Sequence, residues 1–325
     1  MLRPRVHARA ALAAIAVAAA AAAGSAGAAL AEPWRPGPGL TQLPLWPDLP
    51  PGVAAGPAPA ETVVPGDHDV GGRPYLEVHD VSRPTLTVYP ARGTPTGAAV
   101  LVFPGGGYHI LAIDLEGTEV CDWLAPRGVT CVVVKYRVPR SGHHWDPDCK
   151  CHVTPTTPIA LQDAQRAIAL VRQRAARWQV DPHKIGVLGF SAGGHLAAAV
   201  STHFAARSYP AIDDADQQSS RPDFAVVLYP GHLWIDQSQL ALNPDVPVTA
   251  QVPPTLLLHA EDDPVDDVRH SLVYFLALKA AGVPVELHVY PRGGHAFGLR
   301  RTRDPITRWP ELVEGWLRAS GVLAR

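Results

Sequence analysis

A serine, a histidine and a group of carboxylates occur in this sequence in an order that suits nucleophilic catalysis. Ser191 lies in Gly189-Phe-Ser-Ala-Gly193, after an apolar run and before an alanine-rich segment. A strand, a tight turn and a helix form a nucleophile elbow, in which Gly189 and Gly193 leave room for the turn. The helix N-terminus then lies beside the serine oxygen, where negative charge develops during acyl transfer. An ordinary structural turn is the alternative, which the partners below disfavour.

Two loops follow the serine in the chain order that an α/β hydrolase requires, acid first and histidine second. His295 lies in Gly293-Gly-His-Ala-Phe-Gly298, directly after an apolar strand pattern. It would take the Ser191 proton and return it to the leaving alcohol, while a carboxylate fixes its tautomer. Asp263 or Asp262 could supply that carboxylate. The other acids of the loop are expected to be solvated or to cap the next helix, and they are Glu261, Asp266 and Asp267.

A glycine run, Pro104-Gly-Gly-Gly-Tyr108, follows the apolar segment Ala98–Phe103. It could be an oxyanion loop, a phosphate cradle or a flexible turn. A phosphate loop would require a Lys-Ser or Lys-Thr pair after the glycines, and none follows. With a nucleophile downstream, the oxyanion loop is favoured, and its donors would be the N–H groups of Gly106 or Gly107 together with that of Ala192.

The elements that must position these residues alternate between strands and helices. Strands are predicted at Leu76–His79, Thr85–Tyr89, Ala98–Phe103, Val129–Tyr136, the segment before Ser191, Phe224–Tyr229, Thr255–His259 and Val285–Tyr290. Helices are predicted at about Glu116–Ala125, Pro158–Trp178, Gly194–Val200, Val268–Ala281 and Trp309–Ser320. Strands separated by helical patterns indicate βαβ units, and hence an α/β fold with a mainly parallel central sheet and helices on both faces.

Composition limits the classes of partner. The chain has 325 residues, 47% of them hydrophobic, and a formal net charge of -2. Nothing in this balance favours nucleic acid or an anionic membrane, so a neutral or small substrate is expected. Residues 62–325 are predicted to form the catalytic domain. Residues 32–61 are rich in proline, glycine and alanine and are expected to wrap along it as an extended segment anchored by Trp34, Leu45 and Trp46.

Residues 1–31 have the pattern of a targeting segment. Arg3, Arg5 and Arg9 precede an alanine-dominated apolar run, which small residues follow up to Ala31. This pattern predicts a signal peptide cleaved before Glu32, and hence a secreted or periplasmic protein with no membrane attachment after cleavage. An uncleaved anchor is the alternative, which the weak hydrophobicity of alanine and the short run disfavour.

Export would permit disulfides among the four cysteines. Cys121 and Cys131 lie in a predicted helix and the next strand, where both could equally be buried thiols, while Cys149 and Cys151 lie in a loop. Four cysteines allow three pairings, so the connectivity stays open. The loop His143–His152 also contains histidines and aspartates that could form a metal clip. A disulfide or an exposed lid loop is favoured instead, and neither a metal nor a cofactor is predicted.

Several of these segments together resemble a known family, the exported α/β-hydrolase esterases of the BD-FAE and acetyl xylan esterase-like group. The similar segments span nearly all of residues 80–320, and they are Arg83–Pro90, Phe103–Tyr108, Lys135–Pro139, Ala160–Ala167, Gly186–Leu196, His259–Asp263 and Gly293–Gly298. The resemblance implies an α/β-hydrolase fold and a triad of Ser191, Asp263 and His295. Asp266 and Asp267 depart from it, because the family usually has Val-Pro after the acid. Pro104 stands where H-G-G-G esterases have histidine.

The resemblance implies an exported carboxylesterase that removes small acyl groups, most plausibly acetate, from a plant polysaccharide such as xylan or from a small ester. Residues expected near a bound sugar are Tyr108, Trp145, His232 and Trp234. A prolyl-oligopeptidase-like peptidase is one alternative, although residues 32–61 and two strands leave no room for a propeller domain. A non-catalytic carbohydrate-binding protein on a hydrolase fold is another.

Overall fold

The computed structural model describes residues 33–52, 59–138, 144–146, 151–153, 158–235 and 238–323, with only the backbone at 144–146, 151–153 and 158. The predicted signal peptide, residues 1–31, lies outside these ranges. Thirteen strands are described, β1 Thr41–Pro44, β2 Thr62–Pro65, β3 Leu76–His79, β4 Thr85–Tyr89, β5 Ala99–Phe103, β6 Ile110–Ala112, β7 Thr130–Lys135, β8 His144–Asp146, β9 Cys151–Val153, β10 Ile185–Phe190, β11 Ala225–Leu228, β12 Thr255–Ala260 and β13 Val285–Tyr290. The α-helices of these ranges are α1 Glu119–Leu124, α2 Pro158–Gln173, α3 Ala192–Thr202, α4 Arg269–Ala280 and α5 Trp309–Ala319.

Eight of these strands form one sheet in the order β1-β4-β7-β5-β10-β11-β12-β13. Neighbours from β7 to β13 pair in parallel, while β1, β4 and β7 pair antiparallel at one edge. Every residue of β5, β7, β10, β11 and β12 is buried, which explains why these strands are mostly apolar. The predicted α/β fold with a mainly parallel central sheet is confirmed.

Helices cover both faces of this sheet. The chain moves along the sheet in one direction from β5 through α1 to β7, and in the other from β7 through α2 to β10. Right-handed crossovers therefore place α1 and α2 on opposite faces. Trp123 of α1 meets Trp309 of α5 with ring centroids 5.7 Å apart, so α5 lies on the face of α1. Two further described sheets, β2-β3-β6 and β8-β9, lie outside the central one.

The proline-rich segment before residue 62 adds an edge strand that sequence analysis did not predict. Strand β1 pairs antiparallel with β4, in the register Thr41 to Val88. Trp34, Leu45 and Trp46 are all buried in the main core. The indole N–H of Trp46 also donates to an Asp163 carboxylate oxygen at 2.8 Å, which fixes this segment to helix α2.

A disulfide joins helix α1 to the sheet. Cys121 in α1 and Cys131 in β7 are bonded to each other, so these two residues are not free thiols. Cys149 lies outside the described residues, as does the side chain of Cys151. In the described part of the chain, none of the helices has both the length and the apolar character needed to cross a bilayer.

Candidate active site

Ser191 occupies the turn between strand β10 and helix α3 in a backbone conformation that few side chains adopt. Its φ is 52° and its ψ is -120°. A Cβ on Gly189 would lie 2.0 Å from the carbonyl oxygen of Gly193, and a Cβ on Gly193 would lie 2.0 Å from that of Phe103. The two glycines therefore permit the close backbone approach that holds this strained turn. The serine hydroxyl is left at the N-terminus of α3.

The His295 ring joins Ser191 to Asp263. Its Nε2 lies 2.9 Å from Ser191 Oγ, and its Nδ1 lies 2.7 Å from Asp263 Oδ2. These are hydrogen-bonding distances for both contacts. With Asp263 ionised, Nδ1 carries the proton and Nε2 is free to accept the serine proton. The loops after β10, β12 and β13 thus meet at the carboxyl ends of their strands.

Asp263 is fixed and kept ionised by its neighbours. Its Oδ1 accepts backbone N–H bonds from Val265 at 2.9 Å and Asp266 at 3.0 Å. Burial opposes its charge, but hydrogen bonds from His259 and His295 outweigh this, so the pKa of Asp263 is lowered. His259 is itself held in place, because its Nδ1 lies 2.8 Å from Ser271 Oγ in the protein interior.

Asp262, the other candidate acid, has a different task in the structure. Its Oδ1 accepts the backbone N–H groups of Gly293 and Gly294 at 2.9 and 2.8 Å. Asp262 therefore ties down the loop that presents His295, without contacting the imidazole. Asp262 thus fixes the backbone just before His295, and Asp263 fixes the His295 ring.

The glycine run lies beside the nucleophile, as an oxyanion loop would. Gly106 and Gly107 line the same cavity as Ser191. No acceptor within the described ranges takes their N–H groups. Ala192 is the first residue of α3, where a helix leaves its N–H without an intrahelical partner. These three N–H groups are available to stabilise an oxyanion.

A buried carboxylate that sequence analysis missed supports this loop. Glu116 is 1% exposed, and its Oε2 accepts the Gly105 N–H at 2.7 Å. Its Oε1 accepts the Tyr229 hydroxyl at 2.9 Å. Burial raises the pKa of Glu116 although His295 and both hydrogen bonds oppose the shift. Glu116 lies in the short helical segment Asp114–Thr118, which follows the glycine loop in the chain. Nothing in the sequence of this segment indicates that its Glu116 is buried.

The prediction that Asp266 would be solvated or would cap a helix is wrong. It is 6% exposed and lines the cavity. Its Oδ2 lies 3.4 Å from Ser191 Oγ and 3.8 Å from His295 Nε2. Burial is the main cause that raises the pKa of Asp266. Glu261 is exposed, as expected. Asp267 also behaves as expected, because it accepts the Arg269 N–H at 2.8 Å at the start of α4.

The carboxylates around His295 also set its basicity. Burial alone would lower the pKa of this imidazole. The hydrogen bond to Asp263 and the charges of Asp266 and Glu116 outweigh burial, so the pKa of His295 is raised. The imidazolium that forms when the serine proton moves is therefore stabilised in place.

Tyr108 does not face a substrate, contrary to expectation. Its side chain has no exposed surface, and its hydroxyl lies 2.6 Å from His195 Nδ1. Burial is the main cause that lowers the pKa of His195 to about 4. The neutral His195 and Tyr108 form a packed polar pair behind the oxyanion loop.

The other three predicted sugar contacts have different outcomes. His232 lines the cavity. Trp234 does not line the cavity. The Arg269 guanidinium lies over its indole, with the guanidinium carbon 3.9 Å from the ring centroid, and Trp234 is 8% exposed. The prediction for Trp234 is therefore wrong, because the indole packs against helix α4. The side chain of Trp145 lies outside the described residues.

The cavity above the triad has a volume of about 240 Å³. Its polar groups are the triad residues Ser191 and His295, the side chain of His232 and the carboxylates of Glu116 and Asp266. The remainder of its wall is mainly apolar and is formed by Tyr75, Ile110, Ala112, Leu115, Val265 and Ala296. Among the described side chains, no three histidines, cysteines or acids are grouped as metal ligands would be. The side chains of the loop 143–152, where a metal clip is the disfavoured alternative, lie outside them.

Comparisons with known proteins agree with this geometry. The sequence profile described as "Prolyl oligopeptidase family" matches residues 119–320. An acetylxylan esterase of Xylanibacter ruminicola is 30% identical over 63% of this chain and 42% of its own length. An endo-1,4-beta-xylanase B of Butyrivibrio fibrisolvens is 27% identical over 72% of this chain and 36% of its own. The chain thus spans less than half of the length of these two relatives.

A solved structure covers more of the molecule. The acetyl ester-xyloside bifunctional hydrolase from Caldicellulosiruptor lactoaceticus superposes with a TM-score of 0.67 and 32% identity, over 87% of this chain and 97% of that one. The profile match covers more than half of this chain, and the solved structure aligns with 87% of this chain. The chain therefore belongs to the prolyl oligopeptidase family, as an acetyl xylan esterase-like α/β hydrolase of the carboxylic ester hydrolase class.

Proposed function

We propose that this chain is an exported serine esterase that removes acetate from an acetylated plant polysaccharide such as xylan. The observation that carries the proposal is the His295 ring, held 2.9 Å from Ser191 Oγ and 2.7 Å from Asp263 Oδ2 at the wall of a small cavity. The acetylxylan esterase relative and the acetyl ester-xyloside hydrolase support acetate and xylan as the acyl group and polymer.

The first half-reaction forms an acetyl-enzyme. Ser191 Oγ attacks the ester carbonyl carbon while its proton moves to His295 Nε2. The carbonyl oxygen becomes an oxyanion that the N–H groups of Gly106 or Gly107 and of Ala192 stabilise. The carbon–oxygen bond to the sugar then breaks, and His295 returns the proton to the departing sugar oxygen. Water then attacks the acetyl-enzyme while its proton moves to His295. The bond to Ser191 Oγ breaks, this oxygen takes the proton back, and acetate is released. The reaction uses no cofactor.

The cavity supports a small, uncharged acyl group. Its mostly apolar wall suits a methyl group, and its volume of about 240 Å³ is small for a drug-sized ligand. Three carboxylates surround the histidine, Asp263, Asp266 and Glu116. An anionic acyl group would be repelled by them in this poorly solvated space. Acetate esters meet both conditions.

Acetate release from acetylated xylan tests the proposal, with feruloylated arabinoxylan and a proline-containing peptide as competing substrates. We expect wild-type protein to release acetate and neither ferulate nor cleaved peptide. The Ser191→Ala variant should lose this activity, while Ser201→Ala serves as matched control. Ser201 is a buried serine of the same helix whose hydroxyl donates to the Ala197 carbonyl at 2.7 Å. Ferulate release or peptide cleavage exceeding acetate release would refute the proposal.

Export is a separate part of the proposal, based on residues 1–31. The proposed compartment is the periplasm or the medium. Expression in a secreting bacterial host, followed by N-terminal sequencing of the exported protein, should give a chain that begins at Glu32. A product that stays in the cell with residues 1–31 attached would contradict export.

A further inference from the structure

Asp266 is placed to contact the alcohol portion of an ester. Its Oδ2 lies 3.4 Å from Ser191 Oγ and 3.8 Å from His295 Nε2. The serine hydroxyl is nearer to His295, at 2.9 Å, so the imidazole is its proton acceptor. Asp266 therefore stands beside the two reacting groups without replacing either. It lines the cavity on that side.

The backbone around Asp266 holds its side chain in this position. Its N–H donates to Asp263 Oδ1 at 3.0 Å, and its carbonyl oxygen lies 2.9 Å from His259 Nε2. The carboxylate packs closely on Gly231, where an added Cβ would lie 2.6 Å from Asp266 Oδ1. The acid that orients the catalytic histidine thus also fixes the position of Asp266.

The Asp266 carboxylate has hydrogen-bonding capacity that the described residues leave unused. Among the described residues, only Ser191 and His295 have side-chain atoms within hydrogen-bonding or ion-pair distance of it. A carboxylate offers about four acceptor positions, and a buried one without donors is costly. A substrate that fills the cavity removes the remaining water, so a donor on the substrate would satisfy Asp266.

The catalytic proton transfer determines where that donor must be. His295 Nε2 returns its proton to the leaving oxygen, so this oxygen lies within hydrogen-bonding distance of Nε2. Asp266 Oδ2 flanks the same space at 3.8 Å from Nε2. A hydroxyl on the carbon next to the ester, as in a partly acetylated sugar ring, lies beside the leaving oxygen. We propose that Asp266 accepts a hydrogen bond from this vicinal hydroxyl and so selects esters of diols and sugars over esters of simple alcohols.

This inference rests on the proposed esterase function and predicts a measurable preference. A hydrogen bond to a charged group corresponds to about 10- to 100-fold in kcat/KM. The probes are 2-hydroxyethyl acetate and propyl acetate, in which a methyl group of similar size replaces the hydroxyl donor. Wild-type protein should prefer the hydroxy ester by this factor, assayed above the acid limb of its pH profile.

Three variants separate selectivity from general damage. Asp266→Val should reduce the ratio of the two kcat/KM values to about one, and Asp266→Asn, whose amide oxygen is a weaker acceptor, should give an intermediate ratio. Asp267→Asn is the matched control and should keep the wild-type ratio, because Asp267 pairs with Arg269 outside the cavity. An unchanged ratio in Asp266→Val, or an equal loss on both esters, would overturn the inference. Wild-type protein that cleaves neither ester would overturn the proposed function as well.

Discussion

Removal of the buried Glu116 carboxylate should disable the oxyanion loop while leaving the triad in place. Glu116 is the acceptor for the Gly105 N–H at 2.7 Å and for the Tyr229 hydroxyl at 2.9 Å. In Glu116→Ala both donors lose their partner in the interior, at about 1 to 3 kcal/mol each. We expect the free energy of unfolding to fall by about 2 to 6 kcal/mol.

The effect on catalysis follows from the position of Gly105 next to Gly106. When Gly105 is released, the Gly106 and Gly107 N–H groups lose their fixed direction. Loss of one oxyanion donor costs about 10²- to 10³-fold in kcat, which is the ceiling for Glu116→Ala. Glu116→Gln keeps an acceptor for Gly105, so it should retain kcat within about tenfold and should fold if the alanine variant does not.

The assay combines urea unfolding with kcat and KM for an aryl acetate. Tyr229→Phe is the matched control, because it removes one donor to Glu116 but leaves the bond to Gly105. It also removes the acceptor of the Gly298 N–H at 3.2 Å, so it should lose about 1 to 3 kcal/mol of stability while keeping most of its kcat. Folded Glu116→Ala protein with the wild-type kcat would refute the role assigned to this carboxylate. A change confined to KM would also refute it.

Four further predictions concern the acid Asp263, the base His295, its neighbour Asp266 and the disulfide. Asp263→Asn should lower kcat by about 10³- to 10⁴-fold, because the imidazole loses its fixed tautomer; a loss below tenfold, measured on an aryl acetate, would contradict this. Activity should fall as pH drops through the raised pKa of His295, at a pH above its ordinary value of about 6.5, because only the neutral ring accepts a proton. Asp266→Asn removes a negative charge 3.8 Å from His295 Nε2, and the attraction between the two groups is worth about 1 to 4 kcal/mol. The acid limb of the pH–rate profile should therefore move down by about 1 to 3 pH units, and an unmoved limb would contradict this effect of Asp266 on His295. Replacing Cys121 and Cys131 by serine should lower the free energy of unfolding by about 3 kcal/mol in urea titrations, as expected for a separation of 10 residues, and an equally stable variant would show that the bond does not constrain the unfolded chain.

The strands and the loop order were predictable because short-range patterns determine them. Strands β5 and β10 are apolar throughout because helices cover them on both faces, and this is visible in the sequence. Edge strand β1 was missed, since its residues Thr41-Gln-Leu-Pro44 have no distinct alternation. Its pairing with β4 depends on a long-range contact instead.

The carboxylates of the site were less predictable, because burial of a polar side chain depends on the whole fold. Five acids crowd the loop after β12, and composition alone made Asp266 resemble its solvated neighbours. Only the three-dimensional path turns Asp262 toward the glycines, Asp263 toward His295 and Asp266 into the cavity. Glu116 lies among other acids, Asp114 and Glu119, and its partner Tyr229 is 113 residues away in the chain. Tyr108 was misassigned because a tyrosine beside a glycine loop can point either inward or outward.

The most direct test of the account is a search for the acetyl-enzyme. Wild-type protein would be mixed with an aryl acetate, quenched in acid within the first turnover and digested for mass spectrometry. We expect an acetyl group on the peptide that contains Ser191, and none on that peptide in Ser191→Ala. Undiminished acetate release by the Ser191→Ala variant, or an acetyl group that accumulates on another residue, would contradict the assignment of Ser191 as the nucleophile.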